Sequence, residues 1–113
     1  MLTVDNLREY GADVEEGLKR CMNNESFYLM LVGKALDDNR LGQLEQQLSA
    51  KDLDGAFESA HALKGMYANL SLTPLSKPVS EMTELLRSRT DTDYSGLLAE
   101  AKSQFEKLKS LID

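Results

Sequence analysis

Cysteine, tryptophan and proline are scarce in this chain of 113 residues, which has one cysteine, no tryptophan and two prolines. A single cysteine cannot form an internal disulfide, so nothing in the sequence indicates an oxidising compartment. Cys21 lies between Leu18 and Met22 in an apolar helical pattern. We interpret it as a small packed hydrophobe rather than a catalytic thiol.

Long apolar runs and an excess of basic charge are also missing. The longest apolar run, Phe27 to Val32, is far shorter than the roughly 20 residues of a membrane span. The N-terminus lacks the basic stretch and apolar core of a signal peptide. The net charge of −6 argues against binding to a nucleic-acid backbone or to anionic lipid. We therefore expect a cytoplasmic protein without nucleic-acid or membrane partners.

Helical periodicity is present nearly throughout, and no stretch alternates apolar and polar residues for long enough to form a strand. Hydrophobic residues make up 42% of the chain, enough for a core of one domain. There is no internal repeat and no linker. The sequence predicts one all-α domain over residues 1–113, an antiparallel four-helix bundle with short additional N-terminal helices.

Several helix boundaries follow from capping residues. Thr3 and Asp13 can cap two short N-terminal helices, and Asp52 is a good N-cap for a central helix from Leu53 to about Leu70. The apolar pattern predicts further helices over residues 25–36 and around residues 41–48. A last helix is predicted from one apolar stripe made of Tyr94, Leu97, Leu98, Ala101, Phe105, Leu108 and Ile112.

The helix that follows the central one contains both prolines. A proline in the first turn costs little, whereas one further inside a helix removes a backbone hydrogen bond. We therefore expect this helix to begin at Ser76 or Lys77, with Pro78 in its first turn and Pro74 before it.

The central helix carries the only histidine, His61, on its polar side. Its predicted buried stripe is Leu53, Ala56, Phe57, Ala60, Leu63, Tyr67 and Leu70. At 100° per residue, Asp54, Glu58, His61, Gly65 and Ala68 fall on an outward arc, and Lys64 lies at its margin. The periodicity thus favours a solvent-facing histidine over a core histidine.

The run His61-Ala62-Leu63-Lys64-Gly65 has the chemistry of a phosphate acceptor. On a helix, Lys64 and Gly65 lie next to His61, three and four residues away. The imidazole nitrogen is the nucleophile, and the ammonium neutralises phosphoryl oxygens. Glycine within a helix costs about 1 kcal/mol relative to alanine. Because Gly65 faces outward, we interpret it as the residue that allows a partner protein to approach.

The same residues allow other interpretations. From spacing alone, a surface histidine without any role explains the pattern as well as a phosphate acceptor does. One histidine without a nearby cysteine does not make a zinc site, so no metal site is predicted. No glycine-rich nucleotide loop is present, which argues against an ATP-dependent kinase. No apolar strand ends in acidic residues, which argues against a receiver domain.

The segment from Ala60 to Leu70, AHALKGMYANL, resembles the signature of histidine-containing phosphotransfer (HPt) domains of two-component phosphorelays. That signature is a histidine, a hydrophobe two residues on, lysine, glycine, small residues and an aliphatic residue. The likeness also covers the acidic residues before Leu18, residues 25–36, Asp52-Leu53 before the signature and Leu72 to Leu75 after it.

The resemblance implies that a receiver-domain aspartate passes a phosphoryl group to Nε2 of His61, which passes it to another receiver. Lys64 would then stabilise phosphate charge, and Gly65 would admit the receiver. The implied partners are response-regulator receiver domains and a hybrid histidine kinase. Mg²⁺ is expected on the receiver and no cofactor on this chain. The implied protein is a monomeric stoichiometric carrier, not an enzyme.

The resemblance also marks secondary residues and departures. Thr83 falls where relatives often have a Gln or Glu that binds the other histidine nitrogen, with Ser80 and Glu84 close by. Arg87 matches a position where some relatives keep a basic residue near the phosphate, and a solvated arginine at a helix end is its alternative interpretation. Ser71 stands where many relatives have glycine.

Two other classes of function stay open. The chain would be a receiver-binding helical module without phosphotransfer if His61 were dispensable for its function. It would be a helical adaptor unrelated to phosphate if His61 and Gly65 tolerated any substitution.

Overall fold

The computed structural model describes residues 1–112, which form seven α-helices and no strand. The predicted all-α class is therefore confirmed. The helices are α1 Val4–Tyr10, α2 Val14–Arg20, α3 Glu25–Asp37, α4 Arg40–Ser49, α5 Leu53–Asn69, α6 Thr73–Arg87 and α7 Ser95–Lys109.

Helices α4 to α7 form the bundle. Helix α5 packs against α4 and α6, and α6 also packs against α7. Short connections, three residues before and after α5 and seven between α6 and α7, join these helices, so sequence neighbours run antiparallel. Helices α1 to α3 are attached through contacts of α1 and α3 with α7.

The predicted N-caps are all present. The Thr3 hydroxyl accepts from the Asn6 N–H in a capping box, and the Asp13 carboxylate accepts from the Glu16 N–H. The Asp52 carboxylate caps α5 by accepting from the Gly55 N–H at 3.0 Å. Each of these bonds satisfies a donor that the helix itself leaves unpaired.

The core is built from the inward faces of all seven helices. Its largest fully buried side chains include Tyr28 and Tyr67 together with Leu7, Leu44, Leu63, Leu72, Leu75, Met82, Leu86 and Leu108. Burying one such side chain contributes about 1.5–3 kcal/mol. Within residues 1–112, no helix has the length and apolar character that a membrane span requires.

Tyr28 joins the N-terminal helices to the bundle. Its hydroxyl donates to the Leu70 carbonyl at the end of α5, with 2.8 Å between the oxygens. On its other side the ring lies against Gly17, where a Cβ would come within 2.6 Å of the ring atoms. Glycine at this position is what allows α2 to pack on Tyr28.

Helix α6 begins earlier than the sequence predicts. The Leu72 carbonyl accepts from the N–H groups of Leu75 and Ser76, at 3.0 and 2.9 Å, so a helical turn already exists there. Pro74 is the second residue of α6, where its missing N–H would have no partner in any case. The prediction that Pro78 lies in the first turn is wrong: Pro78 lies inside α6 and is buried among core residues.

Helix α7 is shorter than its predicted stripe. It begins after Tyr94, which is buried, and ends at Lys109, so Ile112 lies beyond it and is 41% exposed. Only Ala101 and Leu108 are fully buried within α7, while Leu97, Leu98 and Phe105 are half-buried.

A Schellman motif ends α5 and leads the chain back to α6. The Leu72 N–H donates to the Tyr67 carbonyl and the Ser71 N–H to the Ala68 carbonyl, both at 3.0 Å. Ser71 has a φ of 56°, the left-handed region in which glycine is favoured. The Asp13 N–H donates to the Ser71 carbonyl at 2.9 Å and fixes this turn to the N-terminal helices.

Candidate functional site

His61 is exposed near the middle of α5. The outward arc predicted for this helix is confirmed, since Asp54, Glu58, His61, Gly65 and Ala68 are all exposed. The opposite side of α5 is held in the core by Ala56, Ala60, Leu63 and Tyr67. The longest helix of the bundle therefore presents the imidazole from a rigid backbone.

Phe57 lies one turn before His61 and stacks against it. The two ring centroids are 5.4 Å apart and the ring planes make an angle of 20°. Phe57 was predicted to belong to the buried stripe, but it is only half-buried and lies at the edge of the core. Its ring therefore belongs both to the core and to the surroundings of His61.

Lys64 is half-buried one turn after His61 and forms an ion pair with α6. Its Nζ lies 3.1 Å from Glu84 Oε2, and the same oxygen lies 3.3 Å from Arg87 Nη2. Hydrogen bonds from Arg87 and then from Lys64 lower the pKa of Glu84. One carboxylate thus joins two cations on the surface that carries His61.

Two arginines at the end of α6 lie over the Phe57 ring. The guanidinium carbon of Arg87 is 5.3 Å from the ring centroid, and that of Arg89 is 4.8 Å away. Arg89 has a φ of 51°, and its side chain donates to Asp54 Oδ1 at 2.6 Å and to the Leu86 carbonyl at 2.8 Å. Cation–π contacts of this kind are worth about 0.5–1 kcal/mol at exposed sites.

Gly65 leaves the surface next to His61 open. A Cβ at this position would meet no atom of the described chain within 4 Å, so internal packing does not require glycine. Its neighbours on the same face, Ala62 and Ala68, are small and exposed. A groove between α5 and α6 continues from Lys64 past Ala68 and Ser80.

Thr83 does not reach this surface. Its side chain is fully buried, and its hydroxyl donates to the Val79 carbonyl of the same helix at 2.7 Å. Among residues 1–112, the structure gives His61 no hydrogen bond. No contact in the described structure therefore supports the predicted role of Thr83 in orienting the imidazole.

The sequence predicted roles for His61, Lys64, Gly65 and Arg87. It named Glu84 only as a neighbour of Thr83 and assigned no role at this surface to Phe57 or Arg89. The spacing of Phe57 and His61, one helical turn apart, was a readable signal for their contact. No local pattern marks Glu84 or Arg89, because their contacts depend on how α5 and α6 pack. In the part of the chain described, no group of three or more His, Cys, Asp or Glu side chains is arranged to hold a metal ion.

The described residues thus combine an all-helical bundle with an exposed histidine, adjacent cations and an open glycine position. The model of the Hpt domain family matches residues 36–112, and this chain belongs to that family. Domains of this family are phosphocarrier modules, and membership in it supports a phosphotransfer role in a phosphorelay.

Part of a curated sensory/regulatory protein is also similar to this chain. The chain is 28% identical over 91 residues to the sensory/regulatory protein RpfC of Xanthomonas campestris pv. campestris, with the same values for two strains. The aligned part covers 79% of this chain and 12% of RpfC, so the chain spans only a small share of that relative's length. No solved structure matches the chain significantly.

Proposed function

We propose that this domain is a phosphorelay carrier in which His61 accepts a phosphoryl group from a receiver-domain aspartate and passes it to another receiver. The observation that carries the proposal is the surface of α5. It combines an exposed imidazole with the Lys64 ammonium on one side and the open position of Gly65 on the other.

The transfer step is a displacement at phosphorus. The Nε2 lone pair of neutral His61 attacks the phosphorus atom and forms an N–P bond, while the proton on Nδ1 stays on the ring. The P–O bond to the aspartate breaks, and its electron pair leaves on the carboxylate. The reverse sequence, with the carboxylate of a second receiver as the nucleophile, returns His61 to its free form.

Charge stabilisation is the contribution of Lys64 and Arg87. A transferring phosphoryl group spreads negative charge over three equatorial oxygens, and fixed cations stabilise that charge. Both cations are already held on this surface by Glu84. Mg²⁺ and the acidic pocket are supplied by the receiver, and this chain contributes no cofactor of its own.

The domain acts as a monomeric stoichiometric carrier without autonomous kinase activity. It has no counterpart to a nucleotide-binding loop among its glycines, which are dispersed over the helices and turns. A receiver-binding module without transfer is the second candidate. Binding alone would need neither the histidine nor the lysine, so the presence of both favours the carrier.

The test is transfer from a phosphorylated receiver to the wild-type protein and to His61→Gln. We expect acid-labile, alkali-stable label on the wild type alone, as an N–P bond requires. Binding of the receiver by both proteins without label on either would contradict the carrier and support the binding module.

Lys64→Ala provides the graded comparison. It removes stabilisation of the phosphoryl charge but keeps the nucleophile, so we expect slower transfer with label still formed. A complete loss, equal to that of His61→Gln, would contradict this division of roles.

A further inference from the structure

Among residues 1–112, Phe57 is the one aromatic side chain that the structure places against the imidazole of His61. The two residues are one turn apart on α5, and their rings are nearly parallel. A flat ring on one face of an imidazole restricts rotation about the bond between the imidazole and Cβ. This torsion decides where the ring nitrogens point, and it is otherwise broad.

A hydrogen bond to the second ring nitrogen is the usual way to fix a functional histidine. In residues 1–112 the structure gives His61 no such bond, and Thr83, the residue predicted to provide it, is buried with its hydroxyl bonded to Val79. The restraint on the imidazole plane therefore comes from the Phe57 stack.

The Phe57 ring is itself held in place. Arg87 and Arg89 lie over it from the end of α6, and Arg89 is fixed by Asp54 and by the Leu86 carbonyl. The ring also packs against the core. The stack thus connects the imidazole of α5 to the end of α6.

We propose that Phe57 is a positioning residue for His61, holding the imidazole plane by ring stacking and seating the Arg87 and Arg89 guanidinium groups beside it. This inference rests on the proposed function of His61. It adds a residue that acts through the histidine without touching the phosphoryl group.

The first arm of the test does not depend on phosphotransfer. Because His61 is the only histidine, the proton resonances of its imidazole carbons are identified in an NMR spectrum without assignment of other residues. Phe57→Leu keeps apolar bulk but removes the ring, so we expect these resonances to lose the ring-current displacement. Phe57→Tyr should retain it. Phe105→Leu, at a half-buried phenylalanine of α7, is the matched control and should leave it unchanged.

The second arm measures transfer from a phosphorylated receiver. We expect Phe57→Leu to lower the rate constant at saturating receiver by about tenfold, since small misplacements of a reacting group have large effects on rate. We expect the affinity for the receiver to stay within about twofold of wild type. Misplacing the reacting group affects the chemical step, whereas the backbone surface that the receiver contacts is unchanged. Phe57→Tyr should restore the rate, and Phe105→Leu should transfer like the wild type.

The outcomes separate this inference from the proposed function. Imidazole resonances that are the same in Phe57→Leu and wild type would overturn the stack in solution. A wild-type rate for Phe57→Leu, with label still dependent on His61, would overturn only the positioning role. Wild-type protein that takes no label from any receiver would overturn the proposed function and the positioning role together.

Discussion

The Lys64 ammonium is bound to the Glu84 carboxylate, with 3.1 Å between Nζ and Oε2. The same oxygen accepts from Arg87, so one acidic side chain joins two cations of the surface around His61. A phosphoryl group on His61 would compete with Glu84 for both. The resting protein thus holds the two cations to which we assign phosphate stabilisation in a partly neutralised arrangement.

Glu84→Gln should therefore raise the amount of phosphorylated domain at equilibrium with a given receiver. Removing the carboxylate frees Lys64 and Arg87 to interact with the phosphoryl oxygens. For exposed ion pairs the expected increase is roughly two- to fivefold. The measurement is the partition of label between the receiver and the domain at fixed concentrations.

Glu81→Gln is the matched control for that experiment, because Glu81 is an exposed residue of α6 for which the described structure gives no ion pair. An equal increase in Glu81→Gln would mean that net charge alone is responsible. A decrease in Glu84→Gln would mean that Glu84 is needed to hold Lys64 in place.

Gly65→Gln should slow transfer while leaving the fold intact. A Cβ at position 65 would meet no atom of the described chain within 4 Å, and glutamine is a better helix former than glycine by about 0.5–1 kcal/mol. In the proposed function, the same side chain would occupy the surface that a receiver has to approach. We expect a loss of about tenfold or more in transfer rate, from displacement of the reacting groups.

Gly42→Gln tests whether that effect is specific to the site. Gly42 is likewise exposed within a helix, with open space around a Cβ, but it lies on α4. Gly42→Gln should show a gain in the free energy of unfolding similar to that of Gly65→Gln, with a transfer rate like that of the wild type. Equal transfer rates in Gly65→Gln and wild type would remove the reason to consider glycine an approach residue.

The sequence predicted the parts of this protein that depend on local pattern. Helical spacing predicted α5 and its outward face, and Thr3, Asp13 and Asp52 predicted where three helices begin. These features are readable because caps and amphipathic stripes involve residues within one or two turns of each other.

The start of α6 was mispredicted because proline was weighed as a local breaker. The first turn forms on the Leu72 carbonyl, and the buried position of Pro78 compensates for the hydrogen bond that it cannot make. The links from Glu84 to Lys64 and from Arg89 to Phe57 were also beyond prediction. They join α5 to α6, and their partners are set by helix packing rather than by spacing along the chain.

Ser71→Gly should stabilise the fold. Ser71 occupies the left-handed region with a φ of 56°, a conformation that costs a residue with a Cβ about 1–2 kcal/mol. Part of that gain is offset by the greater freedom of glycine in the unfolded chain, so we expect a net increase of about 0.5–1 kcal/mol. Thermal or urea unfolding measures it directly.

Ser110→Gly is the opposite case and serves as the control. Ser110 has a φ of −63°, and its hydroxyl donates to the Lys107 carbonyl at 2.6 Å. Ser110→Gly should therefore lower the free energy of unfolding. A Ser71→Gly protein that unfolds at a lower temperature than wild type would show that the buried serine side chain matters more than its backbone conformation.

Tyr28→Phe should change how stability depends on pH in the alkaline range. Burial raises the pKa of Tyr28 to about 12 from an ordinary value near 10, and the hydroxyl donates to Leu70. The folded state therefore keeps this proton at a pH where the unfolded chain releases it. The contribution of Tyr28 is fully present below pH 10 and is lost as the pH rises towards 12.

The size of that effect follows from the two pKa values. At neutral pH the wild type should exceed Tyr28→Phe by about 0.5–1.5 kcal/mol, the worth of the hydrogen bond. Ionisation of the unfolded tyrosine should reduce this difference by about 1 kcal/mol at pH 11. Urea titrations of both proteins at pH 8 and pH 11 measure it, and the other tyrosines cancel because both proteins contain them. A difference that is constant from pH 8 to pH 11 would mean that the Tyr28 proton is as easily lost in the folded state as in the unfolded chain.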